Sequence, residues 1–222
     1  SQGKRIFNGD RLAKHVTIPD ITVFGFGVQI QVAQFFVLIQ KQGKWIMLGG
    51  GFSGPIWLVN PKHGTIADHE CHPSIADLPS APDLAVIVTP PQTVPQLIGD
   101  LGAKGTRAAV VITAGLTPER KAAVLKAAKP TLLRVQGPNC VGLMLPALGL
   151  DASFSNRAAL KGDLAFLSQS GALITSIVDW AAARGIGFSQ VVSLGDMLDV
   201  DFGDLLDYLA ADTSSRAILL YI

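Results

Sequence analysis

The chain has 222 residues, 49% of them hydrophobic and 16% charged, with a formal net charge of +1. That length and apolar content supply a core for one large domain or two small ones and exclude a disordered chain. The balanced charge, without any Lys/Arg run, excludes nucleic-acid binding through a global positive field, and no apolar stretch is long enough to cross a bilayer.

The first residues do not read as a secretory signal. Two cysteines, Cys71 and Cys140, are too few for a disulfide scaffold and fit reduced thiols in a cytoplasmic protein. Residues 21–24 read as a first strand, followed by Gly25-Phe26-Gly27. A dinucleotide-binding turn asks for Gly-x-Gly-x-x-Gly and then a helix. Here Ile30 stands where the third glycine belongs, and residues 28–48, rich in Gln and aromatics, are only loosely helical.

From residue 50 onward strands and helices alternate. Residues 55–59 form a short strand that ends in Asn60-Pro61-Lys62-His63-Gly64. Residues 75–78 are a helical or turn segment. Leu-Ala-Val-Ile-Val at 84–88 is a continuous apolar run, as in a strand buried on both faces of a parallel sheet, and Thr89-Pro90-Pro91 ends it. Residues 93–104 are helical, with Val94, Leu97, Ile98 and Leu101 on one face. A strand at 108–113 leads to a helix at 118–128, with Thr117 as N-cap and Pro118 in its first position. The next strand, 131–135, runs into Gly137-Pro138-Asn139-Cys140. This βαβ succession predicts a doubly wound parallel sheet.

Residues 145–155 lack periodicity, and the domain boundary is expected there. The alternation then restarts with a strand at 163–167, a helix at 172–184, a strand at 190–193, a helix at 201–210 and a strand at 217–222. The chain stops inside that last strand, so a longer polypeptide is expected.

Two turns carry the chemistry. Ser168-Gln169-Ser170-Gly171 lies between a strand and a helix start, where free N–H groups and the helix dipole suit a phosphate or another anion; a capped helix start without ligand fits the same residues. Gly137-Pro138-Asn139-Cys140 offers an amide and a thiol at a strand end. His69-Glu70-Cys71-His72 does not have zinc-site spacing, and no metal is expected there. Asp196, Asp199, Asp201 and Asp204 cluster around a helix start, where the dipole favours carboxylates, and a role in domain contact is open to them.

From residue 50 to 222 the chain resembles the CoA-binding subunit or region of the NDP-forming acyl-CoA synthetases, the superfamily of the succinyl-CoA synthetase α subunit. The motifs behind this are Gly50-Gly51-Phe52-Ser53-Gly54, Asn60-Pro61-Lys62, Thr89-Pro90-Pro91, Ile112-Thr113-Ala114-Gly115, Gly137-Pro138-Asn139-Cys140, Ser168-Gln169-Ser170-Gly171 and Ser193-Leu194-Gly195-Asp196. The run 195–209 is most similar to bacterial single-chain members, some of which carry an additional GNAT domain that this chain lacks.

The resemblance implies an α/β fold. A Rossmann-like CoA-binding domain spans 1–146, and the first part of a flavodoxin-like CoA-ligase domain spans 147–222. It implies CoA as cofactor, acyl-CoA as a second ligand, a homo- or hetero-oligomer, and an ATP-grasp domain or subunit through which alone Mg-nucleotide is bound. Neither nucleic acid nor membrane is implied as a partner. Gly25, Gly27, Asn60, Pro61, Lys62, Thr89, Pro90, Pro91, Asn139 and Cys140 fall at CoA-binding positions. Lys62 would meet a CoA phosphate as a point charge, although an ordinary surface lysine fits the same place. The prolines pre-set a corner with free carbonyls.

Asn139 would act catalytically by donating to a thioester carbonyl. Cys140 also reads as a small, unreactive buried residue, with no histidine near it in sequence. Ser168, Ser170 and Gly171 would hold the phosphate. The phosphate-accepting histidine of the family is expected outside this chain, since His15, His63, His69 and His72 do not fall in its place. Such a chain binds CoA without completing the reaction alone. The rival readings are an NAD(H)-binding redox or sensor protein and a non-catalytic CoA sensor. A dinucleotide reader wants an acidic residue after the second strand, where this chain has Asn60-Pro61-Lys62.

Overall fold

The computed structural model describes residues 51–66 and 69–222, together with the backbone of three short strands before them. In chain order the elements are β1 (Thr22–Val23), β2 (Ile30–Gln31), β3 (Phe35–Ile39), β4 (Ile56–Val59), β5 (Thr65–Ile66), β6 (His69–His72), β7 (Leu84–Val88), α1 (Val94–Lys104), β8 (Ala108–Val111), α2 (Pro118–Ala128) and β9 (Arg134–Gln136). There follow β10 (Gly142–Leu145), β11 (Leu150–Ser153), β12 (Lys161–Ser168), α3 (Gly171–Ala182), β13 (Phe188–Ser193), α4 (Phe202–Ala211) and β14 (Ala217–Tyr221).

The first large sheet has the order β5-β6-β4-β3-β7-β8-β9. All its pairings are parallel except that of β5 with β6. Apart from the β5–β6 hairpin, chain order runs outward from β3 in both directions, so β3 and β7 flank the switch point where α/β sheets open a crevice beyond their strand ends. The second sheet, β11-β10-β13-β12-β14, is mixed: β12 pairs parallel with β13 and β14, and β10 pairs antiparallel with β11 and β13.

Side-chain alternation explains the apolar runs. Leu84, Val86, Ala108 and Val110 turn to a core shared with Leu143, Leu145, Ala152, Leu167 and Val192 of the second sheet. Ala85, Ile87, Ala109 and Val111 turn instead to Val94, Ile98 and Leu101 of α1 and Val124 of α2. A strand covered on both faces has no reason to alternate apolar with polar. The far face of the second sheet packs on Ile174, Val178 and Ala181 of α3. Thr117 caps α2 as expected, its Oγ1 accepting from the Arg120 amide at 3.4 Å.

Two sequence expectations change. The segment 28–48, read as loosely helical, contains β3, which lies between β4 and β7 in the middle of the sheet. The strand expected at 21–24 is β1, which among the described residues pairs with β2, antiparallel. The leading parallel strand is therefore β3; Gly25 and Gly27 lie outside the described residues. The aperiodic stretch 145–155 holds the second arm of the β10–β11 hairpin, and β10, from Gly142, is the first strand of the second sheet in chain order. Two short strands around the 3-10 turn Pro146–Leu148 are too brief to show a period in sequence.

Candidate functional site at the seam between the two sheets

The parallel strands of both sheets present their C-terminal ends to one rim. At the end of β4, the Asn60 Oδ1 accepts from the Lys62 amide at 2.8 Å, an Asx turn. Asn60 is buried, whereas Pro61 and Lys62 are exposed. At the end of β7, the hydroxyl of Thr113 donates to the Thr89 carbonyl at 2.7 Å, and that of Thr93 donates to the Pro90 carbonyl at 2.8 Å. Two carbonyls of the Thr89-Pro90-Pro91 corner, those of Thr89 and Pro90, thus each accept a threonine hydroxyl from the following helix start or strand end.

Thr113 also ties this corner to the next one, its carbonyl accepting from the Asn139 amide at 3.0 Å. The loop Gly137-Pro138-Asn139-Cys140 follows β9, contains a cis Gly137–Pro138 peptide, and holds Asn139 at φ 59°. It is gripped from the second sheet. The Asp196 and Leu198 amides donate to the carbonyls of Pro138 and Gly137, each at 2.9 Å. The Ser193 hydroxyl accepts from the Val141 amide at 2.9 Å. Gln136, fully buried, donates to the carbonyls of Gly142 and Ser193 at 3.2 and 2.8 Å. A side chain at Gly195 would run into the carbonyls of Pro138 and Asn139, so only glycine allows this approach.

The Asn139 side chain is exposed and donates from Nδ2 to Asp196 Oδ1 at 3.1 Å. Lys121, on α2, meets the other carboxylate oxygen at 2.7 Å. Burial would raise the Asp196 pKa, but the hydrogen bonds from Lys121 and Asn139 and the Lys121 charge outweigh it and hold the group below its ordinary value. Cys140 differs: its thiol is turned inward, 3.4 Å from the Val111 carbonyl, and burial pushes it up to about 12. It is no thiolate at neutral pH, and what it presents to the seam is backbone.

The turn after β12 is built by its own serines. Ser168, with no exposed surface, accepts from the Ser170 amide at 3.0 Å and donates to the Ser170 carbonyl at 2.9 Å. Ser170 caps α3 by accepting from the Leu173 amide at 3.3 Å. The N–H groups of Gly171 and Ala172, in the first turn, have no intrahelical acceptor. They stand at the positive end of a twelve-residue helix dipole. Gly171 packs directly on the Val141 side chain. Thus the turn holding Ser168, Ser170 and Gly171 abuts Val141, the residue that follows Asn139 and Cys140, and Thr89 is linked to Asn139 through Thr113. Asn60, Pro61 and Lys62 stand at the same rim on the other side of β3.

Sequence reasoning quoted Thr113 within a motif without giving it a role, and it missed Lys121 and the pairing of Asp196 with Asn139. The motif Ser193-Leu194-Gly195-Asp196 was a signal for the last; Lys121 has no local signal. His69–His72 form β6 with Cys71 buried beneath it. Among the described residues no cluster of His, Cys, Asp and Glu could hold a metal, and no helix is long and apolar enough to cross a membrane.

Two α/β layers that bring a Rossmann-type rim and a helix N-terminus to one seam are an architecture on which nucleotide-like ligands are commonly bound. The CoA binding domain family matches residues 42–146, and the succinyl-CoA ligase like flavodoxin domain family matches residues 161–222. An acetate–CoA ligase [ADP-forming] I of Archaeoglobus fulgidus is 40% identical over 191 residues, covering 82% of this chain and 28% of its own length. The α subunit of acetate–CoA ligase [ADP-forming] II of Pyrococcus furiosus is 39% identical, covering 76% of this chain and 38% of its own. Among solved structures, a dinucleotide-forming acetyl-coenzyme A synthetase 1 of Ca. Korarchaeum cryptofilum, in complex with phosphate and ADP, superposes with a TM-score of 0.80 at 30% identity. That superposition covers 86% of this chain and 44% of the other. The chain belongs to the NDP-forming acyl-CoA synthetase family, with a CoA-binding domain followed by a flavodoxin-like ligase domain. It spans less than half the length of these relatives.

Proposed function

We propose that this chain is the CoA-binding part of an acid–CoA ligase that forms a nucleoside diphosphate, working in the cytoplasm with an ATP-grasp domain or subunit. The observation that carries this reading is the contact between the Gly137–Cys140 loop and the Ser168–Gly171 turn, made where Val141 lies on Gly171. A thioester placed at Asn139 would have its carbonyl beside a phosphate held by the Gly171 and Ala172 amides and the Ser170 hydroxyl.

Phosphate oxygen then attacks the thioester carbonyl, the C–S bond breaks, and acyl phosphate and CoA thiol result. The phosphoryl group passes to a histidine outside this chain and from there to the nucleoside diphosphate on the ATP-grasp partner, which brings its own Mg²⁺. Residues of this chain bind and orient: Asn139 donates to the carbonyl as charge develops on it, the helix start holds the anion, and Lys62 takes a CoA phosphate as a point charge. Asn60 stands where an NAD-binding protein would place an acid on the ribose hydroxyls, and this supports CoA over NAD(H).

Isothermal titration of this chain with CoA, and with NADH as comparison, tests the reading. Saturable CoA binding that Lys62→Ala weakens is the expected result. Binding of NADH in place of CoA would overturn it in favour of a redox or sensor protein. Turnover by a longer polypeptide that supplies the phosphate-accepting histidine, together with the ATP-grasp partner, separates the ligase from a non-catalytic CoA sensor.

A further inference from the structure

The Asn139 carboxamide stands at the seam without a packing wall of its own: the residue is exposed and its backbone sits at φ 59°. Its side chain is held by one contact, from Nδ2 to Asp196 Oδ1 at 3.1 Å. A carboxylate only accepts, so it selects the NH₂ end of the amide and turns the carbonyl oxygen the other way. Asp196 is itself tethered. Its amide donates to the Pro138 carbonyl at 2.9 Å, and its second oxygen meets Lys121 Nζ at 2.7 Å.

Lys121 belongs to α2 against the first sheet, Asp196 to the loop after β13 of the second, and Asn139 to the segment that joins the two sheets. The three side chains therefore link both halves of the molecule at the point where the reacting end of the ligand would lie. Backbone geometry alone fixes where the Asn139 side chain starts. Asp196 fixes which of its atoms is left over: Oδ1, an acceptor, and the second N–H of Nδ2.

We propose that Asp196, braced by Lys121, is a positioning residue for the thiol end of the CoA site, holding the Asn139 carboxamide in the one orientation that presents Oδ1 and its second N–H to the ligand's sulfur and acyl group. This rests on the CoA reading given above. Asp196 does not touch the ligand; it acts through Asn139. Its removal frees the amide to flip and rotate, and the loss falls on recognition of the sulfur end rather than on the nucleotide end of the ligand.

That distinction supplies the test. The Kd values of CoA and of desulfo-CoA, which lacks the thiol sulfur, are measured by titration for the wild type, Asp196→Ala, Lys121→Met and Lys62→Ala, with a thermal melt of each. Asp196→Ala should weaken CoA by about tenfold, the scale of a lost hydrogen bond, and leave desulfo-CoA within about twofold. Lys121→Met should move the CoA value the same way by a smaller factor, and it carries the test if Asp196→Ala does not fold. Lys62→Ala should weaken both ligands alike. Equal weakening of CoA and desulfo-CoA in Asp196→Ala, or no weakening of either, would overturn the positioning role. A wild-type chain that binds neither would overturn the CoA reading, a result distinct from both.

Discussion

Gly171, the first residue of α3, lies directly against the side chain of Val141, the first residue past Cys140. A β-carbon at 171 would overlap Val141 Cγ2. Two effects then compete in Gly171→Ala. Alanine favours a helix over glycine by about 1 kcal/mol, while overpacking a filled position costs about 1–3 kcal/mol. Val141 is buried, and its branched side chain is stiff at χ1, so the steric cost should win. We expect Gly171→Ala to lower stability by about 1–2 kcal/mol in urea unfolding and to weaken phosphate and CoA binding together. Adding Val141→Ala should recover much of the loss; additive losses in the double variant would show that the contact is not the cause.

Arg134 holds the other side of the seam. Its Nε meets Asp199 at 3.0 Å and its Nη2 meets Asp204 at 3.0 Å, all three side chains being less than a third exposed. Asp199 accepts in addition from the Val135 amide at 2.8 Å, and Val200 donates back to Val135 at 3.1 Å, so this segment covers the outer edge of β9. Asp201 and Asp204 exchange bonds in a capping box at the start of α4. Arg134→Met leaves two carboxylates facing each other and should cost about 2 kcal/mol, below the full cost of a wholly buried pair. The exposed Arg157–Asp179 pair, at 3.7 Å, is the internal comparison; Arg157→Met should change stability by less than about 0.5 kcal/mol. Equal effects in denaturant titrations would mean that the Arg134 network is only surface decoration.

Much of this was legible in the sequence where local rules and tertiary packing agree. The run Leu84–Val88 has one reading because both its faces are covered, and Thr117-Pro118 mark the start of α2 by chemistry confined to one turn. The two turns at Gly137–Cys140 and Ser168–Gly171 stood out because their residue types are special. What escaped were relations between distant segments. Asp199 was grouped with its neighbours as a helix-start carboxylate, yet its partner is Arg134, and no local pattern links the two. The strand β3 is flanked by glutamines that blur its apolar run, so its place at the switch point comes from pairing with β4 and β7. The β10–β11 hairpin uses strands of four residues, too short for their alternation to be recognised.

Cys140 gives a chemical prediction. Its thiol is buried, pointed at the Val111 carbonyl, and pushed up to about 12 by desolvation. Cys71 is also buried, and burial raises its thiol too. Since only the thiolate reacts, both should resist iodoacetamide in the native protein at pH 8 and react fully in denaturant, as read by intact mass. Fast native labelling of Cys140 would mean that its loop opens readily and that the thiol is not held buried against the Val111 carbonyl.

Asp151, on β11, contributes its own pH dependence to stability. Its Oδ1 accepts from the Ser153 amide and hydroxyl at 3.1 and 2.6 Å, while its Oδ2 is buried without a partner. Burial raises the pKa to about 6 against the smaller, opposing effect of the Ser153 bonds. The folded pKa thus lies above the unfolded value of 3.8, so over the interval between them the native state holds a proton that the unfolded state has lost. Stability from this group is full below that interval, falls as pH rises through it, and is gone above about 6. The whole effect is about 3 kcal/mol. Other carboxylates, such as Asp196 and Asp212 with lowered pKa values, slope the opposite way. The informative quantity is therefore the difference between the wild type and Asp151→Asn, which cannot ionise at this position. Urea unfolding from pH 4 to 7 should show the wild type losing stability relative to the variant as pH rises, with the difference levelling off above about 6. A difference that stays constant across the range would mean that water or a cation reaches the carboxylate and that Asp151 titrates as an ordinary surface acid.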